Sequence, residues 1–274
     1  MKVLVIGATG KTGRAVMDAL TARGAEALAA IRNPSPDGVR FDWADRTTWK
    51  PALEGADALY IVGPYAQPDA DVLLRDLLAT ATNVRRIVLL SVIGADKLPS
   101  IVPMAGWERD VQNSGKEWTI LRPNWFQQNF AEGFLPALQN GTLELPAGDA
   151  AVSFVDTRDI AEVAAIALTS DGHSGQTYEL TGPEALTHTE ALEILSKVAD
   201  RDLRYVPLDP SAHTEAMRAA GAPERTITWQ AALFSQIRDG SDATITNTIE
   251  RLTAHPARTF TAFATEHAPT WQSA

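Results

Sequence analysis

Apolar and polar positions alternate along the first two thirds of the chain in a repeating unit of short apolar run, turn and helical pattern. Val3 to Ile6 is the first run; it stops at Gly7, and Ala15, Val16, Ala19 and Leu20 then recur at helical spacing up to Arg23–Gly24, which reads as a glycine C-terminal cap. Strand patterns return at residues 26–31, 39–41, 58–62, 86–90 and 118–122. A brief helix toward Leu53 and helices over residues 69–82 and 102–114 separate them. Strands alternating with helices at this length predict right-handed crossovers and a doubly wound parallel sheet, an α/β fold. The rhythm breaks after Leu138, at Asn140–Gly141 and at 146–149. Residues 152–155 then lead into a helix that Asp156 caps and whose apolar face runs to Leu168, and 178–180 reads as a last strand. From Thr187 onward the pattern is mainly helical, with a strand signal at 204–206. The expected organisation is a nucleotide-binding domain over 1–150. Residues 151–274 then hold the remaining sheet strands and a smaller, mainly helical C-terminal substrate region, helped by the segment from Phe126 to Leu138.

The first turn carries the clearest chemistry. Its glycines fall as Gly7-x-x-Gly10-x-x-Gly13, directly between a strand and a helix. In a Rossmann-type unit Gly7 allows the tight turn, Gly10 lets backbone approach a pyrophosphate, and Gly13 lets the helix pack close to the sheet. The helix N-terminus offers free N–H groups and a positive dipole end to phosphates, so Thr9, Lys11 and Thr12 fall in the same cofactor-facing turn. Where an NAD site carries an acidic residue for the ribose 2′-hydroxyl, this chain has Arg32, 19 residues after Gly13. A guanidinium suits a 2′-phosphate, and Arg14 is a second candidate contact, so the expected cofactor is NADP(H). Asp42 and Trp43 follow the third strand and either edge the adenine or serve as a cap and a packed ring. Gly63 and Pro64 close the fourth strand at its carboxyl end, where ligands of open parallel sheets bind.

Composition narrows the classes further. An apolar fraction of 45% over 274 residues supplies a sizeable core. The net charge of −10, without a lysine-rich run, argues against nucleic acid and anionic membranes as partners. The absence of cysteine removes disulfides, thiolate catalysis and cysteine zinc sites. The five histidines are scattered without metal-ligand spacing, so no metal is expected. No signal-peptide pattern or bilayer-length apolar run is present, and the expectation is a cytoplasmic monomer or dimer acting on a small molecule.

Taken together, Gly7–Gly13, Ser91-Val92-Ile93-Gly94-Ala95, the stretch 121–130 (Leu-Arg-Pro-Asn-Trp-Phe-Gln-Gln-Asn-Phe), 155–161 and Leu180-Thr181-Gly182-Pro183 resemble an atypical short-chain dehydrogenase of the NmrA-like group. Arg258-Thr259-Phe260-Thr261-Ala262-Phe263 resembles a bacterial subgroup similar to ergot-alkaloid (festuclavine-type) reductases. The resemblance implies an NADP-binding fold. The wider group holds quinone reductases, triphenylmethane-dye reductases, isoflavone-reductase-like enzymes and sensors that bind NADP without turnover.

Ordinary carbonyl reduction in short-chain dehydrogenases uses a Tyr with a Lys four residues later. Here the residues four after Tyr60, Tyr65, Tyr178 and Tyr205 are Pro64, Asp69, Gly182 and Asp209, so the sequence holds no such dyad. The helix over 102–114 has no lysine where isoflavone-reductase-like relatives carry one; Met104 stands near that place. A quinone, a cationic dye or an iminium ion accepts hydride with less acid help than a simple ketone. The expected function is therefore an NADP(H)-dependent oxidoreductase delivering hydride to a conjugated or cationic acceptor. The alternative is a non-catalytic NADP(H)-binding sensor of a protein partner. Ser91, at the end of the fifth strand, either hydrogen-bonds substrate or cofactor or caps the strand. Asn124 is a candidate nicotinamide contact. Glu108 is a proton donor if buried and a solvated helix residue otherwise. Met104, Trp107, Trp125, Phe126 and Phe130 are the candidate substrate-pocket residues, against a reading as core.

Overall fold

The computed structural model describes residues 1–33, 38–65, 67, 69–99 and 102–272. Its first half alternates strand and helix: β1 (Lys2–Ile6), α1 (Lys11–Ala22), β2 (Glu26–Ile31), β3 (Gly38–Arg40), α2 (Trp49–Leu53), β4 (Ala58–Val62), α3 (Ala70–Thr80), β5 (Arg86–Leu90), α4 (Met104–Gln112) and β6 (Glu117–Pro123). Then come α5 (Leu135–Gln139), β7 (Thr142–Leu145), α6 (Thr157–Thr169), β8 (Gln176–Leu180), α7 (His188–Ala199) and β9 (Arg204–Pro207). The chain closes with α8 (Pro210–Ala219), α9 (Glu224–Arg238), α10 (Thr248–Thr253), α11 (Phe260–Glu266) and α12 (Pro269–Gln272).

Seven strands form one sheet in the order β3-β2-β1-β4-β5-β6-β8, every neighbouring pair parallel. This is the doubly wound, Rossmann-type α/β fold that the strand–helix alternation predicts. Its central strands are apolar at nearly every position because both faces are covered. Leu4, Ile6, Leu59, Ile61, Ile87 and Leu89 pack against the layer of α2, α3 and α4. The residues between them, Val3, Val5, Ala58, Tyr60, Val88 and Leu90, pack against α1 and α6. Period-two alternation thus splits each strand between two cores.

Residues beyond 150 belong to the same body. β8 extends the sheet beside β6, and α6 buries its face of Ile160, Val163, Ala164 and Ala167 against the layer that holds Val16 and Leu20 of α1. Asp156 caps α6 as the pattern predicts, its carboxylate accepting the Arg158 N–H at 2.8 Å. Arg158 pairs with Asp156 and with Glu266, while Arg258 pairs with Asp159 and Glu162. These ion pairs tie the C-terminal segment to α6. A third core, around Phe130, Phe154, Leu192, Phe260 and Trp271, lies under α7, α11 and α12. The turn-rich stretch after Leu138 differs from expectation: Gly141, at φ +85°, turns the chain into β7, which pairs in parallel with β9.

Candidate functional site

A cavity of about 660 Å³ opens at the carboxyl ends of β1, β4, β5 and β6. Gly7, Thr9, Gly10, Lys11 and Thr12 form one end of it. Gly7 holds φ +87°, a conformation that strains any residue with a Cβ, and its carbonyl accepts the Gly10 N–H at 2.9 Å. α1 starts so close to the turn that a methyl group on Gly13 would lie 2.0 Å from the Gly7 carbonyl oxygen. Gly10 caps α1 with backbone alone; no side chain satisfies the first amides and no acidic residue stands in the first turn. The cradle therefore fits the phosphates of a dinucleotide: free donors and a positive dipole end. Lys11 lies at the same end, donating to Asn129 Oδ1 at 2.9 Å, and burial lowers its pKa.

The other predicted cofactor contacts divide. Arg32 is exposed just beyond the end of β2. Arg14 is partly occupied, donating to the Thr9 carbonyl at 2.9 Å and pairing with Glu132 at 2.6 Å. Asp42 turns its carboxylate back on the Ala44 N–H, while Asp45 caps the short turn that follows, and Trp43 packs edge-on to Phe41 and Trp49. Gly63 and Pro64 are buried, and the cavity wall at this strand end is made instead by Val62 and Tyr65. Gly63 matters for another contact: its missing side chain makes room for Trp107, whose ring would lie 2.3 Å from a Cβ there.

Ser91 and Glu108 meet, but not as an acid beside a substrate. Glu108 is only 4% exposed and is gripped by Arg122, with Nε 2.9 Å from Oε1 and Nη2 2.6 Å from Oε2. Ser91 Oγ donates to the same carboxylate at 2.5 Å. Glu108 is held by Arg122 and Ser91 and is not among the described residues lining the cavity, so it is neither the solvated helix residue nor a proton donor placed beside a substrate. The carboxylate also raises the pKa of Arg122. Ser91 lines the cavity with its hydroxyl hydrogen committed, leaving its lone pairs for a donor.

Asn124 is buried at the cavity, but its amide is used by its own chain. Nδ2 donates to Ser153 Oγ at 2.8 Å and to the Asp242 carbonyl at 2.7 Å, and Oδ1 accepts the Trp125 N–H. The side chain of Asp242 accepts the Trp125 indole N–H at 3.1 Å; this carboxyl is 1% exposed, and burial pushes its pKa up to about 6. Met104, Trp125 and Phe126 line the cavity; Trp107 and Phe130 do not. Trp107 is fully buried, its indole donating to the Ala70 carbonyl at 3.0 Å. Phe130 sits in the third core, edge-on to Phe134, Phe154 and Phe260. Both were expected in the pocket; dense packing on every side places them behind it.

Sequence reasoning missed the opposite wall. Tyr65 stacks on Trp229 (centroids 5.6 Å apart, planes 14°), and His213, Gln230, Leu233 and Phe234 complete the lining from α8 and α9. The spacing of Trp229, Leu233 and Phe234, on one face of a helix, was the available signal. The Tyr65 hydroxyl donates to the Leu90 carbonyl at 3.4 Å, and desolvation raises its pKa.

Residues 7–171 match the protein-family model described as NAD(P)H-binding. The chain is 33% identical to NAD(P)H azoreductase of Xenophilus azovorans over 99% of its own length and 100% of that protein's. It is 27% identical to festuclavine synthase I of Penicillium roqueforti, over 99% and 100% of the two chains. Among solved structures it superposes on an NADPH-dependent quinone oxidoreductase of Escherichia coli complexed with NADPH, with a TM-score of 0.82 and 25% identity, covering 96% of this chain and 99% of that one.

Proposed function

The chain belongs to this NAD(P)H-binding family and is an oxidoreductase, and from that premise we propose that it is an NADPH-dependent reductase of flat, conjugated, neutral acceptors of the quinone type. The observation that carries this reading is the cavity itself. It runs unbroken from the glycine turn to an aromatic wall, and no Asp or Glu is among its described lining residues. Among the described lining residues Lys11 is the one Lys or Arg, and it stands at the turn end. An iminium or dye cation would enter such a space without a counter-ion, whereas a neutral ring loses little solvation there.

Each part of the wall then has a task. The turn amides and the α1 N-terminus hold the pyrophosphate with Lys11, and Arg32 takes the 2′-phosphate. When bound, the reduced nicotinamide supplies the hydride. Ser91, held in place by Glu108, accepts a hydrogen bond from an N–H or O–H brought into the cavity. Tyr65, Trp229, Trp125 and Phe234 flank the ring of the acceptor and exclude water around it. Tyr65, with its pKa raised and its hydroxyl donating to the Leu90 carbonyl, is not an activated acid, so the proton that completes the product comes from solvent. That arrangement supports quinone reduction and disfavours a simple ketone.

The test is NADPH oxidation, followed by absorbance, against a naphthoquinone, a triphenylmethane dye, a cyclic imine and a simple ketone, with NADH in parallel. Turnover should be fastest with the quinone and absent with the ketone. Tight NADPH binding without turnover on any of the four would move the assignment to the sensor. Fast ketone reduction would mean that a proton donor exists in the wall. Separately, Arg32→Ala should weaken NADPH binding by roughly ten- to a hundredfold, as expected for one charge-assisted contact, and leave NADH binding nearly unchanged. Equal losses would remove Arg32 from the 2′-phosphate.

A further inference from the structure

The short turn at 241–243, which follows α9, places a buried carboxyl directly behind the cavity wall. The backbone of Asp242 is an anchor in its own right: its carbonyl accepts from Asn124 Nδ2 at 2.7 Å and from the Ser153 N–H at 3.0 Å. Its side chain does something separate, accepting the indole N–H of Trp125. Trp125 also packs on Phe234, with ring centroids 5.3 Å apart and planes 30° apart, and it lines the cavity. Two contacts therefore fix the indole, one through a ring face and one through its only polar atom.

We propose that Trp125 is the platform on which the acceptor ring stacks, and that Asp242 is a positioning residue that holds the indole in place and enriches its electrons. This rests on the reading of the cavity as an acceptor site and names what within it selects the acceptor. An N–H donated to a carboxylate pushes electron density into the indole ring. A richer π-face binds more tightly to an electron-poor ring, such as a quinone, through complementary quadrupoles. Folding alone does not call for the charge. A neutral amide oxygen would accept the same hydrogen bond without the penalty of an ion buried beside a single side-chain donor.

The charge state of Asp242 falls within reach of an experiment. Burial and the carboxylate of Asp239, at the end of α9, raise its pKa, and the hydrogen bond from Trp125 lowers it. The hydrogen bonds from Ser241, and then the charges of Lys97 and Arg238, lower the pKa of Asp239. The groups facing Asp242 from the ends of β6 and from residue 153, Asn124, Trp125 and Ser153, do not titrate in this range.

The experiment measures the equilibrium Kd of 1,4-naphthoquinone for protein loaded with NADP+, which cannot reduce it, between pH 5 and 8. For the wild type, Kd should fall severalfold as pH rises through about 6. Asp242→Asn, which keeps an acceptor for the indole but no charge, should show the weak, low-pH Kd throughout, with unchanged NADP+ affinity. Melting temperatures give an independent check that the carboxyl titrates there. A raised pKa means that ionisation opposes folding, so the variant's melting temperature relative to wild type should rise between the ordinary carboxylate pKa of about 4 and the folded value of about 6, and level off above it. If Asp242→Asn does not fold, Trp125→Phe serves: it removes the indole N–H and should likewise flatten the pH dependence. Quinone binding that is tight in wild type and unaltered in either variant overturns the proposal. No quinone binding by wild type overturns the acceptor-site reading beneath it.

Discussion

Gly13→Ala should raise the Kd for NADPH by more than a hundredfold. The added carbon would meet the Gly7 carbonyl oxygen at 2.0 Å, the Gly7 carbonyl carbon at 2.6 Å and the Ala8 Cα at 2.8 Å, all of them backbone. No rotamer relieves such contacts, so either the turn or the first turn of α1 must move by more than an ångström. Both carry amides of the proposed phosphate cradle, and a preorganised set of amides displaced by that much loses its aim. α1 remains pinned further along by Val16 and Leu20, so the variant should still fold, with native far-ultraviolet dichroism and a modest loss in melting temperature. Calorimetric titration with NADPH decides the matter: affinity within threefold of wild type would show that α1 is not the phosphate-binding helix.

The second large effect is on stability. Arg122→Ala should cost on the order of 3–5 kcal/mol, because it leaves the carboxylate of Glu108 buried without its cation. For a chain of this size that is a fall in melting temperature of roughly 10 °C. Arg122 also reaches Asp96 at 2.9 Å, but Asp96 is exposed and that pair adds little. The double replacement Glu108→Leu with Arg122→Leu removes the stranded charge and should recover most of the loss, while freeing the Ser91 hydroxyl. Urea unfolding of the three proteins measures this; a single variant within 1 kcal/mol of wild type would mean that water reaches Glu108.

The two halves of the site differed in how far the sequence disclosed them. The cradle could be read because its geometry is made by neighbours in the chain: a buried strand, three glycines at fixed spacing and a helix whose apolar face starts at once. The sheet was legible for the same local reason, since strands covered on both faces are written as apolar runs. The Ser91–Glu108–Arg122 cluster joins three separate elements, and nothing in the spacing of 17 and 14 residues marks Glu108 as the shared partner. Aromatic spacing marked Trp125, Phe126 and Phe130 alike; only packing separates the first two, in the wall, from Phe130 in the core. Asp242 sits in a polar stretch between helices and has no local signature at all.

The arrangement of β8 and α6 bears on how this protein is made. A ribosome that has released the first 150 residues has delivered six of the seven sheet strands, yet β6 still lacks its outer neighbour and α1 still lacks its cover. Both arrive only with residues 157–180. At roughly 5–20 residues per second, those missing pieces emerge some seconds later, and through that interval a bare strand edge and an apolar helix face are open to other chains. Fragments ending near residue 150 should carry the same defect permanently and aggregate where the full chain does not.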